Sequence, residues 1–303
     1  MVHWAITCRA QGSVQGLQYD ERQKRAPMFY YSHHKRGSGD GASLGKRLEH
    51  YRRGDVITLS DEESRHACMV LRLDEKSEMD ICDGRGTVVR GSLLPAVVDS
   101  EMQDGNERGK KRRRNAKKSL SQNGAMVMVT ADPVKHPVPA AEWHVAVACG
   151  SLKGGRGDWL VEKCAEIGAL EFTPLLTERS PKLGGSDGAG REERWERLSV
   201  SVMKQSLQPY KMIVHEPCTI QEFLDSHKGT EMYVGAEGAE PLRTVFDGNR
   251  NKGTLLVGPE GDFTLEELEM IAEAGAHVVG LGQRRLRSET AAIVMLSFVV
   301  LQV

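Results

Sequence analysis

Apolar positions change their period about half way along this chain. In the first half they fall in short runs at 28–31, 55–59, 78–82, 87–93 and 125–129, several alternating with polar residues. Such runs, bounded by Gly, Pro and Asp, predict the short strands of a small β-barrel. Among them, 61–73 reads as helical, with Ala67, Val70 and Leu71 on one face. From Trp143 onward the apolar runs become continuous (143–148, 172–176, 232–234, 255–257, 277–281). They alternate with amphipathic stretches at 158–168, 191–208 (a stripe of Trp195, Leu198, Val202 and Gln205) and 219–227. Continuous apolar strands separated by helices predict a parallel sheet buried on both faces.

Three of those later strands break into glycine-containing turns: Gly235-Ala236-Glu237-Gly238, Gly258-Pro259-Glu260-Gly261 and Gly282. Between the second and third, Thr264-Leu265-Glu266-Glu267 spells a capping box. Leu265, Leu268, Ile271 and Ala272 then share a helical face, and Gly275 marks the stop. In open α/β sheets ligands lie beyond the carboxyl ends of strands. One small-molecule site built from these three turns is therefore expected, with glycine letting a ligand approach bare backbone. Arg284, Arg285 and Arg287 crowd together before a final apolar helix that Ser288 can cap. Three cations at one strand end call for anionic groups to meet them.

Composition narrows the class. The chain has 303 residues and a formal net charge of −1, so any nucleic-acid contact must come from local patches. Aromatic residues make up 5%, too few for a stacking platform to be the main RNA reader. Six cysteines show no CxxC spacing; they read as reduced thiols, and no metal site is expected. The run 291–303 is too short for a membrane span. Residues 1–26 read as a disordered tail or a weak organelle presequence, leaving a cytoplasmic or organellar location open. An insertion at 99–123 passes from acidic to basic and reads as a solvated loop, an RNA grip or a nuclear address. Residues 132–139, rich in proline, read as an interdomain linker. The loop 150–157 lacks the Lys-Ser/Thr of a P-loop, and GxGxxG, Ser-His-Asp and HExxH patterns are absent.

Val257-Gly258-Pro259-Glu260-Gly261, then Leu281-Gly282 and Leu286-Arg287-Ser288-Glu289-Thr290-Ala291, resemble the RsmE family of RNA methyltransferases. The resemblance extends to Lys153, Glu162-Lys163 and Glu166-Ile167-Gly168 and, more loosely, to Arg65-His66, Val70-Leu71-Arg72 and Asp83-Gly84-Arg85-Gly86. Two positions depart from the family pattern: Gln208 replaces an Arg, and Asp262 replaces a second Gly.

The resemblance implies a SPOUT-type α/β domain over 139–303, with a parallel sheet and a trefoil knot, after a PUA-like β-barrel over 27–138. It implies S-adenosylmethionine as cofactor, held by Gly235, Val257, Gly258, Glu260, Gly261, Leu281, Gly282 and Leu286. It also implies methylation of uridine N3 in small-subunit ribosomal RNA, free or in the assembled subunit, by a homodimer with no membrane or metal partner. Glu289 is the candidate acceptor of the N3 proton, and Arg287 the candidate stabiliser of charge on the uracil oxygen. Arg65, His66, Arg72, Lys153, Lys163, Gln205 and Arg284 are the candidate RNA contacts. A ribose 2′-O methyltransferase of the same fold, or a non-catalytic RNA-binding protein retaining it, are the alternatives.

Overall fold

A computed structural model describes residues 26–32, 46–95, 124–148, 155–180 and 190–302. The tail up to residue 25, the 99–123 insertion and Lys153 lie outside the described residues.

The first sheet comprises β1 (Met28–Tyr30), β2 (Val56–Thr58), β3 (Glu78–Cys82), β4 (Thr87–Leu93), β5 (Met126–Val129) and β6 (Val134–Lys135). Its order is β1-β3-β4-β5-β2, with β6 against β4. Alternation along β4 turns Thr87, Val89, Gly91 and Leu93 inward. The β3–β4 register sets Ile81 opposite Val89 in a core with Phe29, Leu48, Ile57 and Val127. On the outer face the same register pairs Asp80 with Arg90 through two hydrogen bonds, 2.9 and 3.0 Å long. Pairing of β6 with β4 corrects the linker reading, because Val134 and Lys135 are stitched into this sheet.

The helix expected over 61–73 is shorter and changes type. Helix α1 (Asp61–Arg65) starts at Ser60, whose hydroxyl accepts from the Glu63 amide, and runs into a π-helical turn, His66–Val70. The Leu71 amide donates to the His66 carbonyl, five residues back. That wider turn rotates Val70 and Leu71 off the face of Ala67, leaving them 67% and 41% exposed.

The second sheet comprises β7 (Glu142–Val147), β8 (Glu171–Leu176), β9 (Ile213–Val214), β10 (Cys218–Thr219), β11 (Met232–Gly235), β12 (Lys252–Val257) and β13 (His277–Val279). All its pairings are parallel, in the order β10-β8-β7-β12-β11-β13, with β9 against β8. The helices are α2 (Arg156–Ile167), α3 (Arg191–Ser206), α4 (Ile220–Ser226), α5 (Leu242–Val245), α6 (Leu265–Glu273) and α7 (Ser288–Val300). Both faces are covered. Trp143, Val145, Leu255 and Val257 pack with residues of α2 and α7, whereas Ala146, Val234 and Leu256 pack with α4 and α6. This is why these strands carry unbroken apolar runs. Helix α7 is apolar almost all round, and Ala292, Met295, Leu296 and Val299 are buried.

Details of three helices differ from the pattern. The expected capping box forms at Thr264/Glu267, and a second forms at Thr219/Glu222. In α6, however, only Ile271 is buried and Leu265 is 67% exposed, because the helix meets the core along a narrow stripe. Gln205 is exposed on α3, whose inner face is Trp195, Ser199, Val202 and Met203. At α7 the cap position is Arg287, with no side-chain capping bond; Ser288 is the first helical residue and does not cap.

The two sheets meet at a polar and apolar seam. Met203 packs with Met28 and Cys82, and Lys204 pairs with the buried Glu63 at 2.6 Å. The Gly86 amide donates to the Pro209 carbonyl at 2.8 Å and the Lys211 amide to the Gly84 carbonyl at 2.9 Å. Among the described residues no helix is long and apolar enough to cross a membrane.

Candidate functional site: a cleft at three strand ends

Strand register brings the three glycine turns together. Gly235 stands opposite Val257 on one side and Val279 on the other, so β12, β11 and β13 finish side by side. Beyond these ends lies a cleft with about 660 Å³ of free space, part of it open to solvent. Its walls include Gly235, Val257, Gly258, Glu260, Leu281, Gly282, Arg284 and Leu286, all expected at the site. Ala236, Glu237, Pro259, Asp262, Arg285, Ser288 and Ala291 complete the lining.

Glycine recurs along the wall, for sequence reasons. Gly282 has φ +109°, a conformation that disfavours any Cβ. At Gly258 a Cβ would come within 3.1 Å of Phe263, so the turn packs tightly against its own return. Asp262 also has positive φ, +64°, and its Oδ1 accepts from the Phe263 amide at 2.9 Å. Asp tolerates the left-handed region when its side chain bonds locally. Asp262 thus occupies a left-handed position of the kind that glycine also adopts readily.

Arginines clamp this turn from outside. Arg179 Nη1 donates to the Gly261 carbonyl at 2.8 Å and to the Phe263 carbonyl at 3.3 Å. Arg285 Nη2 donates to the Glu260 carbonyl at 2.8 Å. Gly261 therefore supports the turn through its carbonyl and is not itself among the lining residues. The Glu260 side chain is also engaged: its Oε1 accepts from Arg156 Nη1 at 2.9 Å.

Glu289 and Arg287 differ from each other in setting. Glu289, in the first turn of α7, is 6% exposed; its Oε1 lies 3.5 Å from Arg156 Nη1. Its Oε2 has no hydrogen-bond partner among the described residues. An unpaired buried carboxylate oxygen is costly and marks a waiting acceptor. Its bond with Glu260, reinforced by the charge of Glu289, holds the Arg156 guanidinium above its already high range. Arg287 is exposed, and neither it nor Glu289 lines the cleft directly. Arg156 is the main residue the sequence reading missed. It stood only as the reason to reject a P-loop, since nothing in its spacing announces a partner 133 residues away.

The candidate RNA contacts are spread more widely. Arg65 is exposed on α1, His66 is half-buried beside the Phe29 ring, and Arg72 is exposed at φ +55°. The Lys204–Glu63 pair puts the neighbouring Gln205 near α1, across the seam. Lys163 is neutralised by Glu166 at 2.5 Å and Glu162 at 2.9 Å, which weakens its candidacy for phosphate contact. Among the described residues of this set, only Arg284 lies at the cleft.

A parallel sheet with its ligand cleft beyond the carboxyl ends and a glycine-walled turn defines an α/β ligand-binding domain. The chain belongs to the RNA methyltransferase domain family, whose family model matches residues 139–300. It is similar to ribosomal RNA small subunit methyltransferase E of Bacillus subtilis, with 32% identity over 52% of this chain and 66% of that protein. It is also similar to the enzyme of the same name from Aquifex aeolicus, with 28% identity over 47% of this chain and 62% of that one. The match therefore spans less than two thirds of either relative. The solved structure of the Neisseria gonorrhoeae enzyme of that name, bound to S-adenosylmethionine, superposes with a TM-score of 0.67 at 22% identity, over 90% of this chain and 96% of that one. This last likeness concerns the fold.

Proposed function

We propose that this protein methylates N3 of a uridine in small-subunit ribosomal RNA, using S-adenosylmethionine. The observation that carries the proposal is the in-register ending of β12, β11 and β13 at a cleft lined by three glycines, with the buried, half-paired Glu289 carboxylate close by. The names of the relatives and the family match support the same reading.

The cleft suits the cofactor because Gly235, Gly258 and Gly282 line it and let a ligand approach the main chain closely. Gly235, Val257, Gly258, Glu260, Leu281, Gly282 and Leu286 would hold it. When bound, S-adenosylmethionine supplies an electrophilic methyl group on a sulfonium. The residues of the chain do the remaining work. Glu289 accepts the N3 proton of the target uracil, which makes the nitrogen a nucleophile. Arg156 holds Glu289 in position. Arg287 faces the negative charge that develops on the uracil oxygen, and Arg284 meets a flanking phosphate. The target base must leave its stack to reach the cleft.

The finer architecture belongs to the same proposal. We infer a PUA-like barrel over 27–138 that holds flanking RNA through Arg65, His66 and Arg72, followed by a SPOUT domain over 139–303. Threading of a trefoil knot is supported by Gly280, whose amide donates to the Glu240 carbonyl at 2.7 Å. A Cβ at Gly280 would come within 2.4 Å of the Ala239 carbonyl oxygen, so the chain after β13 passes hard against the loop after β11. The exposed Val294 on α7, beside the partly buried Ala291, Ile293 and Phe298, supports a homodimer. The enzyme would act wherever small ribosomal subunits are made, in the cytoplasm or an organelle.

Incubation of the purified chain and S-adenosylmethionine with undermethylated small-subunit RNA, followed by nucleoside mass spectrometry, tests the proposal. The expected product is N3-methyluridine. A 2′-O-methylated nucleoside would move the chain to the ribose class, and an unmodified product from both free RNA and subunits would support a binding role only.

A further inference from the structure

The opposite end of the second sheet carries a group of side chains that the cleft does not use. His144 near the start of β7, Glu171 at the start of β8, and His215 just after β9 each present a ligand atom, and these atoms all lie within 4.8 Å of one another. Glu171 Oε2 is 2.6 Å from His215 Nε2 and 3.9 Å from His144 Nδ1. A fourth candidate, His227 at the end of α4, sets its Nε2 3.1 Å from His144 Nδ1. The cluster is assembled by parallel pairing: His144 stands opposite Glu171 in the β7–β8 register, and the His215 amide bonds to the Phe172 carbonyl.

We propose that His144, Glu171 and His215, with His227 as the fourth ligand, bind a divalent transition-metal ion of the zinc type. Imidazole nitrogens with one carboxylate oxygen form a donor set suited to Zn²⁺. A tetrahedron with metal–ligand bonds of about 2.1 Å has edges of about 3.4 Å. Three of the separations, 2.6, 3.1 and 3.9 Å, straddle that value, and His227, which touches the group through His144 alone, has the furthest to move to close on an ion.

The surroundings of the rings favour coordination. His227 Nδ1 is 2.8 Å from the Phe223 carbonyl, which can only accept; the proton must sit on Nδ1, leaving the Nε2 lone pair aimed at the cluster. His144 Nε2 is 2.7 Å from the Thr173 hydroxyl, a partner able to donate or accept. With that hydroxyl accepting, Nδ1 is freed as a ligand, the outer-shell arrangement typical of metal-bound histidine. Glu171 and His215 are each 41% exposed by side chain, which opens a route from solvent. Four protein ligands leave no open position, so the ion would be structural, tying β7, β8 and α4 together. The ligands come from four separate points in the sequence, 27, 44 and 12 residues apart, which is why no motif spacing revealed them. The proposal stands apart from the methyltransfer reading.

Titration of metal-free full-length chain with ZnCl₂ in a calorimeter, and with CoCl₂ followed by visible absorption, tests it. The expected result is one ion per chain, with the intense d–d bands of tetrahedral Co²⁺ and a raised Tm. Weakening of at least tenfold is expected in His215→Ala and Glu171→Gln, whose half-exposed positions should leave the fold intact. His277→Ala, an exposed histidine outside the cluster, serves as control and is expected to bind as the unaltered chain does. Absence of saturable binding, octahedral Co²⁺ spectra, or equal binding by His215→Ala, Glu171→Gln and the unaltered chain would overturn the proposal.

Discussion

Arg156 Nη1 lies 3.5 Å from Glu289 Oε1 and 2.9 Å from Glu260 Oε1, joining the amino end of α2 to the cleft turn and to the amino end of α7. One guanidinium thereby ties the cleft wall to the buried carboxylate proposed as base. Removing Glu289 and removing its holder should have different kinetic signatures.

Glu289→Gln keeps shape and removes the proton acceptor. Single-turnover methyl transfer is expected to fall about 100-fold or more, with S-adenosylmethionine affinity nearly unchanged. A rate within threefold of the unaltered enzyme would remove Glu289 from the mechanism.

Arg156→Lys retains the charge but not the fork that reaches two carboxylates. A rate loss of about tenfold is expected, from a misplaced Glu289, together with a displaced pH–rate profile. Full activity in the lysine variant would show that the ion pairs are incidental.

At Asp262 two effects oppose each other. Glycine would relieve left-handed strain of about 1–2 kcal/mol but forfeit a hydrogen bond worth about 1 kcal/mol. Asp262→Gly should therefore stay within about 1 kcal/mol in denaturant melts, whereas Asp262→Val should lose at least about 2 kcal/mol through both losses at once. Equal stability of the two variants would contradict the left-handed φ of +64°.

The seam depends on a buried ion pair. Lys204 and Glu63 have side chains 14% and 6% exposed, and Glu63 Oε2 already lacks a partner among the described residues. Lys204→Met leaves an uncompensated buried charge and should destabilise by about 3–5 kcal/mol. The double variant with Glu63→Leu should recover much of that loss, and its failure to do so would show that the pair contributes through packing alone.

Burial pushes the Cys82 thiol up to about 12, from an ordinary value of 9.0. A raised thiol pKa means that the folded state favours the protonated form. The associated stability is present below about 9 and is lost as pH rises toward 12. At pH 8 the folded protein should leave Cys82 unalkylated by iodoacetamide, as mass spectrometry of the tryptic peptides would report. Ready labelling of the native protein would mean that the seam opens.

Much of this was legible in the residues. Val257 through Gly261, Gly282 and the capping box at Thr264 announced strand ends and a helix start because glycine and capping chemistry are local. The sheet order was not legible, yet the site required it: Gly235 meets Val257 and Val279 only because β11 inserts between β12 and β13. Val70 and Leu71 misled because a π-helical turn changes the period that helical reading assumes. Arg156, Arg179 and the His144 cluster escaped because their partners lie tens of residues away, and only tertiary pairing brings them close.

The central claim is that main-chain atoms at three adjacent strand ends hold the methyl donor. Calorimetric titration of S-adenosylmethionine into the full chain and into Gly282→Val addresses it directly. One molecule per chain is expected for the unaltered protein and at least a tenfold loss for the variant, which puts a branched side chain on a cleft-lining residue at a φ of +109°. No binding by the unaltered chain, or equal binding by both proteins, would contradict it.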